Sequence, residues 1–255
     1  MININDIRNN STMKIVYFSP HLDDAIFSCG GIIAQQILDG HKVEIWSFFT
    51  SDPPSEGLTP FARLLHRRWG KTQNPYQIRR DEDIAACKLL SVNWKHFGYM
   101  DCIYRRYPQT GAPLVRNKGD LFKPGREPET ILIDSIKQRI DQHLKIQDTL
   151  IIPLGVGTHI DHLLIREIAI SYPNPKFFYP DYPYAGKVRS TTEFGLPEGA
   201  KQWDYRLTGE NLLRWQNAAR CYSSQVSSFW DSPASMEQDI EHYGTSKVGN
   251  KLWRL

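Results

Sequence analysis

The chain begins its first regular segment with KIVYFSPHLDD, residues 14–24, where a short apolar run leads directly into His21, Asp23 and Asp24. A run of this kind, with little polar interruption, is typical of a strand buried on both faces of a parallel sheet. In an open α/β sheet, the loops that follow the strands converge at one edge, where ligands bind. Polar side chains directly after such a strand are therefore candidates for a functional site.

The same arrangement recurs more than a hundred residues later, in TLIIPLGVGTHIDH at residues 149–162. Here His159, Asp161 and His162 follow a second apolar run. Two imidazoles and one carboxylate drawn from the two loops would form the open three-ligand set of a catalytic zinc. The two segments together predict a hydrolase.

The chemistry of such a site assigns roles to types of residue. Zinc lowers the pKa of a bound water to roughly 7, and a neighbouring carboxylate usually takes the proton as the water attacks. Because Asp23 and Asp24 are adjacent, we expect one to be a ligand and the other the base. Of His159 and His162, one can bind zinc and the other, held as imidazolium by a carboxylate, can stabilise an oxyanion.

An alternative is that Asp23, Asp24 and Asp161 only cap the N-termini of helices. For a single cluster this alternative has as much weight as a metal site. Two clusters, each directly after a strand, favour the metal site.

These motifs resemble the signatures of a known family. Residues 20–25 followed by Cys29-Gly30-Gly31 resemble the P-H-P-D-D-E…G-G signature of the PIG-L/LmbE family of zinc-dependent N-acetyl-sugar deacetylases. His159-Ile160-Asp161-His162 resembles the second signature of that family, H-x-D-H. Residues 79–86 resemble its R-x-x-E helix, and residues 98–101 its G-x-x-D strand end.

The resemblance implies a role for each matching residue. It implies zinc ligands at His21, Asp24 and His162, a general base at Asp23, a stabiliser of the tetrahedral intermediate at His159 with Asp161 as its orienting partner, and sugar contacts from Asp101 with either Arg79 or Arg80. A divalent iron could occupy the same ligands in cells. Two positions depart from the family pattern: Leu22 replaces a proline and Ala25 replaces a glutamate. Neither departure removes a ligand or the base.

The order of strands and helices predicts the fold. Apolar runs alternate with helical patterns, which favours a Rossmann-like, mostly parallel sheet with helices on both faces. Residues 51–71 are expected to form a loop with a helical turn, and Lys176–Tyr179 a strand. At 255 residues the chain is expected to form a single domain. Residues 1–12 are expected to be mobile, and residues 173–255 to close over the active-site crevice.

Composition excludes several classes of function. The formal net charge of +3 without a basic stripe argues against nucleic-acid binding. The four cysteines are scattered, which favours reduced thiols in the cytoplasm. No secretory signal and no apolar run of about 20 residues is visible, so no membrane span is expected. The sequence indicates no oligomeric state.

The segment FYPDYPY at residues 178–184 has two readings. Tyr182 and Tyr184 could form an aromatic wall for a sugar ring, or the segment could be a proline-rich loop packed on the core. For the whole chain, the leading hypothesis is removal of an N-acetyl group from an N-acetylglucosaminyl-type sugar or glycoconjugate. The alternatives are a zinc amidohydrolase for another N-acyl substrate and a non-catalytic carbohydrate-binding module. Asp23 argues against the last, because a binder needs no base.

Overall fold

A mixed seven-stranded sheet forms the centre of the molecule. The structure, a computed structural model, describes residues 12–254 except 71–73, 124–128, 189–193, 195, 197 and 247–248. The strands are β1 (Lys14–Ser19), β2 (Lys42–Ser47), β3 (Asn93–His96), β4 (Thr149–Pro153), β5 (Lys176–Tyr179), β6 (Lys201–Asp204) and β7 (Lys251–Arg254). Their spatial order is β3-β2-β1-β4-β5-β7-β6. The first five strands of this order are parallel, and β7 pairs antiparallel with both β5 and β6.

Eight α-helices accompany the sheet in the described part of the chain. They are α1 (Asp24–Leu38), α2 (Pro60–Arg68), α3 (Pro75–Leu90), α4 (Thr130–Asp141), α5 (Ile160–Ile170), α6 (Gly209–Arg220), α7 (Ser223–Phe229) and α8 (Pro233–Thr245). The predicted α/β class with a mostly parallel sheet is confirmed. No described helix has the length and apolarity that a membrane crossing needs.

Strand β1 shows why the sheet has helices on both faces. Ile15 and Tyr17 belong to one buried cluster, and Val16 and Phe18 belong to another on the opposite face. Successive side chains of a strand point to opposite faces, so both faces of β1 need apolar cover. The uninterrupted apolar run therefore follows from burial on both faces.

The C-terminal third packs against the first helix. A Cβ at Gly30 would collide with the indole of Trp215, so glycine here allows α1 and α6 to approach closely. The Trp215 Nε1–H donates to the carbonyl of Ile26 at 2.7 Å. Residues from both ends of the chain therefore share one core cluster.

Several elements differ from the sequence-based expectation. Residues 51–71 were expected to be a loop with a helical turn, but they contain α2, which begins after Thr59, whose hydroxyl accepts the N–H of Ala62. Helices α7 and α8 and strand β7 were not predicted. Strand β7 is only four residues long and takes its place between β5 and β6 through non-local pairing, which no local pattern records. The expectation of mobility for residues 1–12 lies, apart from residue 12, outside the described residues.

Candidate metal centre and active site

The site lies where β1 and β4 run side by side, the point at which the strand order of the sheet reverses direction. Residues after β1 contribute His21 and Asp24, and residues after β4 contribute His159 and His162. A crevice forms at this edge because the two connections leave in opposite directions. The two motifs recognised in the sequence therefore meet in space.

The loop after β1 ends in helix α1, and a serine caps this helix. Ser19 Oγ donates to the carbonyl of His21 at 2.6 Å and accepts the N–H of Ala25 at 3.0 Å. Asp23 occupies the N-cap position, yet its carboxylate makes no capping hydrogen bond. Capping by Asp23 is therefore wrong for this helix, and its carboxylate is left for another purpose.

Asp24 lies between the two imidazoles that were expected to bind metal with it. Its Oδ2 is 3.2 Å from Nδ1 of His21 and 3.3 Å from Nε2 of His162, and it accepts the backbone N–H of His21 at 2.7 Å. His21, His159 and His162 each place one ring nitrogen within 4.8 Å of the others. These are the neutral nitrogen and anionic oxygen donors that zinc prefers.

Carboxylates orient both of the histidines that face Asp24. His162 Nδ1 lies 2.6 Å from Oδ1 of Asp181, and His21 Nε2 lies 3.2 Å from Oδ2 of Asp161 and 3.5 Å from Asp101. Metal-binding histidines usually donate their second ring N–H to such a carboxylate, which fixes the tautomer and the ring orientation. In both rings the other nitrogen faces Asp24: Nδ1 of His21 and Nε2 of His162. These two nitrogens are therefore free to bind a metal.

Electrostatics also fit a cation. Burial lowers the pKa of His21, but Asp101, Asp161 and Asp24 together raise it well above its ordinary value. For His162 burial likewise lowers the pKa, and Asp24 and Asp181 raise it overall. The buried carboxylates thus attract positive charge to the imidazoles, and a divalent metal would satisfy them in place of those protons.

Arg105 anchors one of the orienting carboxylates. Its Nη2 donates to Oδ1 of Asp161 at 2.6 Å, and the same guanidinium contacts Glu129 at 2.8 and 2.9 Å. The guanidinium carbon of Arg105, Cζ, lies 4.9 Å from the ring centroid of Phe49. Asp161 therefore links a buried arginine to His21. Arg105 was not predicted as a site residue, because it lies in a long stretch of sequence without periodicity.

Asp23 is buried beside Arg79. The Nη2 of Arg79 lies 3.5 Å from Oδ1 of Asp23, and Arg79 Nε is buried without a hydrogen-bond partner among the described residues. Burial raises the pKa of Asp23 to about 6, and Arg79 opposes this rise. A carboxylate with a pKa close to neutrality is suited to accept and return a proton.

Arg79 and Arg80 of helix α3 point in different directions, and only Arg79 points toward the site. Arg79 points inward and lies over the rings of Trp69 and Tyr76, at 4.8 and 5.1 Å from their centroids. Arg80 donates instead to the carbonyl of Thr50 and to Asp52. Consecutive residues of a helix point about 100° apart, so only one of the two can face the site.

His159 is the N-cap residue of helix α5, and its side chain makes the capping hydrogen bond. Its Nδ1 accepts the backbone N–H of Asp161 at 3.3 Å, so the neutral ring carries its proton on Nε2. Burial, with His162 and His21 nearby, lowers the pKa of His159 to about 3. From the sequence, an imidazolium oriented by Asp161 was expected here, but the Asp161 carboxylate contacts His21, Cys102 and Arg105. The structure favours a neutral His159 that is oriented by the backbone.

Of the other residues expected to contact substrate, Asp101 and Tyr182 are already occupied by contacts within the protein. Asp101 accepts from the hydroxyl of Tyr76 and from the N–H of Ile103, so its carboxylate is already engaged inside the site. Tyr182 is 2% exposed, stacks on Tyr243 and donates to Asp239 at 2.8 Å, which is the packing of a core residue.

Tyr184 lies at the site itself. Its ring centroid is 6.0 Å from that of His162 and 5.7 Å from that of Phe122, which in turn lies 5.7 Å from His159. The two readings of the aromatic segment thus hold for different residues: Tyr182 packs in the core, and Tyr184 borders the two histidines. Phe122 was not expected, because it comes from the long loop before α4.

The two departures from the family pattern are both buried. Leu22 is 1% exposed in a cluster with Trp69 and Tyr76, and Ala25 is 1% exposed in the core beneath α1. Asp181 was missed, although it follows β5 directly at the same sheet edge. Like His21, Asp181 lies two residues beyond the end of a parallel strand, a position at which a site residue is expected.

Comparisons with known proteins agree with this geometry. The family model "PIG-L: GlcNAc-PI de-N-acetylase" matches residues 16–172. A 2'-N-acetylparomamine deacetylase of Niallia circulans is 25% identical and aligns over 96% of this chain and 92% of its own length. A protein of the same name from Streptomyces fradiae is 26% identical over 71% of this chain and 60% of its own length.

The fold is shared with a solved deacetylase. The zinc-inhibited form of teicoplanin deacetylase Orf2 superposes with a TM-score of 0.77 at 26% identity, covering 94% of this chain and 97% of that protein. The family-model match over residues 16–172, which includes both signature motifs, shows that this chain belongs to the PIG-L family of de-N-acetylases.

Proposed function

We propose that this protein is a zinc-dependent hydrolase that removes the N-acetyl group from an N-acetylglucosaminyl-type sugar or glycoconjugate. The observation that carries the proposal is the close set of His21, Asp24 and His162, in which both histidines are buried, with the carboxylate of Asp23, which makes no capping hydrogen bond, next to it. The named relatives, all deacetylases of amino-sugar or glycopeptide compounds, support the same class of reaction.

His21, Asp24 and His162 would hold the metal. When bound, zinc would polarise the amide carbonyl and make a water acidic enough to attack at neutral pH. Iron(II) suits the same donor set and is the alternative metal in cells. In this assignment Asp181 and Asp161 hold the two imidazoles in their tautomers and orientations.

Asp23 would move the proton. Its carboxylate takes the proton of the attacking water as the new C–O bond forms, and returns it to the sugar nitrogen as the C–N bond breaks. The second proton of the water leaves the new acetic acid and ends on the amine, so the products are acetate and the sugar ammonium, and atoms and charge balance. The pKa of about 6 that burial gives Asp23 suits both halves of this exchange.

His159 and Arg79 would act on the substrate oxygen atoms. His159 can donate its Nε2 proton to the oxyanion because its Nδ1 already accepts a backbone N–H. The guanidinium of Arg79, whose Nε–H has no hydrogen-bond partner among the described residues, could donate to a sugar hydroxyl. Asp101 accepts a hydrogen bond from the hydroxyl of Tyr76, the tyrosine whose ring lies beneath Arg79.

Two further proposals concern the whole protein. Residues 173–255 close the crevice, and the protein, whose four cysteines are unpaired, works in the cytoplasm.

The test combines metal analysis with product detection. Purified protein should contain about one zinc per chain, and Asp24→Ala or His162→Ala should lose it to a chelator that leaves His242→Ala, an exposed-histidine control, fully loaded. Release of acetate should then be screened across N-acetylglucosaminyl compounds. Because the teicoplanin deacetylase was solved in a zinc-inhibited form, zinc should be titrated through one equivalent and beyond.

Two outcomes favour the alternatives. Turnover of longer N-acyl amines but not of acetamides would indicate a different amidohydrolase. Sugar binding without any turnover by the metal-loaded protein would indicate a carbohydrate-binding module.

A further inference from the structure

Four rings form a closed set of contacts at the centre of the site. The ring centroids of His159 and His162 lie 4.9 Å apart. Phe122 lies 5.7 Å from His159, and Tyr184 lies 6.0 Å from His162. Phe122 and Tyr184 also contact each other, at 5.7 Å between centroids and 74° between ring planes. Phe122 and Tyr184 therefore form one continuous surface beside the two histidines, which we call the aromatic wall.

The loop between β4 and α5 holds both rings of the aromatic wall in place. The carbonyl of Phe122 accepts the hydroxyl of Thr158 at 3.2 Å. A Cβ added at Gly157 would lie 3.1 Å from Cβ and Cγ of Tyr184, so this tyrosine packs directly against the backbone of the glycine. The same loop leads into His159, the N-cap residue of α5. One segment thus sets the distance between the wall and the histidine.

The polar groups proposed to contact the sugar belong to a different part of the crevice. Arg79 lies 3.5 Å from Asp23 and over the rings of Trp69 and Tyr76. Its Nε–H has no hydrogen-bond partner among the described residues. Hydroxyl groups of a sugar are therefore matched by Arg79, whereas an apolar group of the substrate is matched by the aromatic wall.

The shape of an amide decides which part of the substrate meets the wall. The carbonyl carbon of an acetamide carries the sugar nitrogen on one side of the C=O bond and the methyl group on the other. With the carbonyl oxygen at His159 and the nitrogen toward Asp23, the sugar extends toward Arg79 and the methyl group points away from it. Burial of an apolar group against an apolar surface is favourable. The methyl group therefore fits against the aromatic wall.

We propose that Phe122 and Tyr184 form the acyl pocket of this protein and restrict its substrates to short acyl groups, above all acetyl. The proposal rests on the proposed deacetylase function and specifies its acyl selectivity. It assigns the ring of Tyr184 to the acyl group and not to the sugar. Because the two rings contact each other and both histidines, each added methylene would have to displace a packed ring, which is unfavourable.

The test measures kcat/KM for N-acetyl-, N-propionyl- and N-butyrylglucosamine from the release of glucosamine. For wild-type protein, kcat/KM should fall about 10-fold or more with each added methylene. Phe122→Ala opens the wall but keeps the carbonyl that Thr158 binds. It should raise kcat/KM for the butyryl substrate about 10- to 100-fold and leave the acetyl value within about 3-fold of wild type. Phe122→Leu should give a smaller gain in the same direction.

Two control variants separate the ring from other effects. Tyr184→Phe keeps the ring and removes only the hydroxyl, so the ratio of acetyl to butyryl kcat/KM should stay at the wild-type value. Leu213→Ala, at an exposed apolar residue on α6, should change none of the three substrates. A variant that is only destabilised loses activity on all three substrates in proportion, so the ratio reports on the wall and not on folding.

Failure of the proposal and failure of the function give different results. Equal kcat/KM of wild type for the three substrates, or an unchanged acetyl-to-butyryl ratio in Phe122→Ala, would show that these rings do not bound the acyl group. If wild-type protein releases no glucosamine from any of them, the proposed function is wrong. Calorimetric titration of the metal-loaded protein with the same compounds then tests the wall alone. Tighter binding of the acetyl compound to wild type but not to Phe122→Ala supports it, and any other result, including no binding, contradicts it.

Discussion

Nδ1 of His162 lies 2.6 Å from Oδ1 of Asp181, and the second oxygen of the same carboxylate accepts the N–H groups of Gly155 and Val156 at 2.7 and 2.8 Å. The carboxylate can only accept, so His162 donates from Nδ1 and keeps Nε2 for the centre of the site. Gly155 has a φ of 84°, a left-handed conformation that turns the chain after β4 toward Asp181. Asp181 thereby fixes both the loop and the histidine.

The first prediction concerns this pair. Asp181→Asn should lower the metal affinity of the protein about 10- to 100-fold, because the amide no longer fixes the tautomer of His162. Competition with a chromogenic chelator measures the affinity directly. Asp148→Asn is the matched control, since Asp148 is also buried and also accepts a backbone N–H but lies just before β4, at the opposite end of the strand from the site. Equal affinities for the two variants would remove Asp181 from the site.

The second prediction separates the base from the ligand. Asp23→Asn should keep the metal and lose about 10²- to 10⁴-fold in kcat, because the amide cannot take the proton of the attacking water. Asp52→Asn, an exposed carboxylate paired with Arg80, should keep normal kcat. Loss of metal from the Asp23 variant would make Asp23 a ligand and reverse the assignment of the adjacent pair.

The third prediction concerns the protonation of His159. Its pKa of about 3 means that the ring has already lost its second proton well below pH 5 and stays neutral above it. A bound dication would lower that pKa further. His159→Ala should therefore reduce kcat about 10²- to 10³-fold while the alkaline limb of the pH–rate profile keeps its position. His159→Gln retains an N–H donor and should recover part of the rate. Disappearance of the alkaline limb would instead restore the imidazolium expected from sequence.

The fourth prediction distinguishes the two arginines of α3. Arg79→Gln should lower kcat/KM about 10- to 100-fold, as expected for lost hydrogen bonds from a charged group, whereas Arg80→Gln should have little effect. Arg79 also holds down the pKa of Asp23, so its removal should move the acid limb of the profile to higher pH. Arg79→Lys keeps the charge and should leave that limb closer to its normal position. Equal losses for Arg79→Gln and Arg80→Gln would contradict the inward orientation of Arg79.

The fifth prediction concerns stability at Arg105. Replacing it by Gln leaves the fully buried carboxylate of Asp161 without its cation, which should destabilise the fold by about 3–5 kcal/mol. Arg214→Gln, which breaks an exposed ion pair with Glu210 one turn away on α6, should cost no more than about 1 kcal/mol. Urea unfolding of both variants gives the comparison. Similar losses would show that the Asp161 contact adds little to stability.

Local sequence was sufficient for the centre of the site. The apolar runs before His21 and before His159 identify β1 and β4, and side chains that follow parallel strands must emerge at one edge of the sheet. The helical and strand periodicities likewise predicted the α/β class, because they depend on residues that are close together in the chain. Strand β5 was predicted at its observed bounds, Lys176–Tyr179.

Tertiary structure alone decided which side chains surround that centre. Arg105 and Asp161 are 56 residues apart, and Arg79 and Asp23 are also 56 apart, so no local pattern connects them. Tyr182 and Tyr184 read alike in sequence, yet the packing of Tyr243 takes the first into the core and leaves the second beside His162. Periodicity reports which residues are buried, whereas the partner of each buried charge depends on how distant segments pack together.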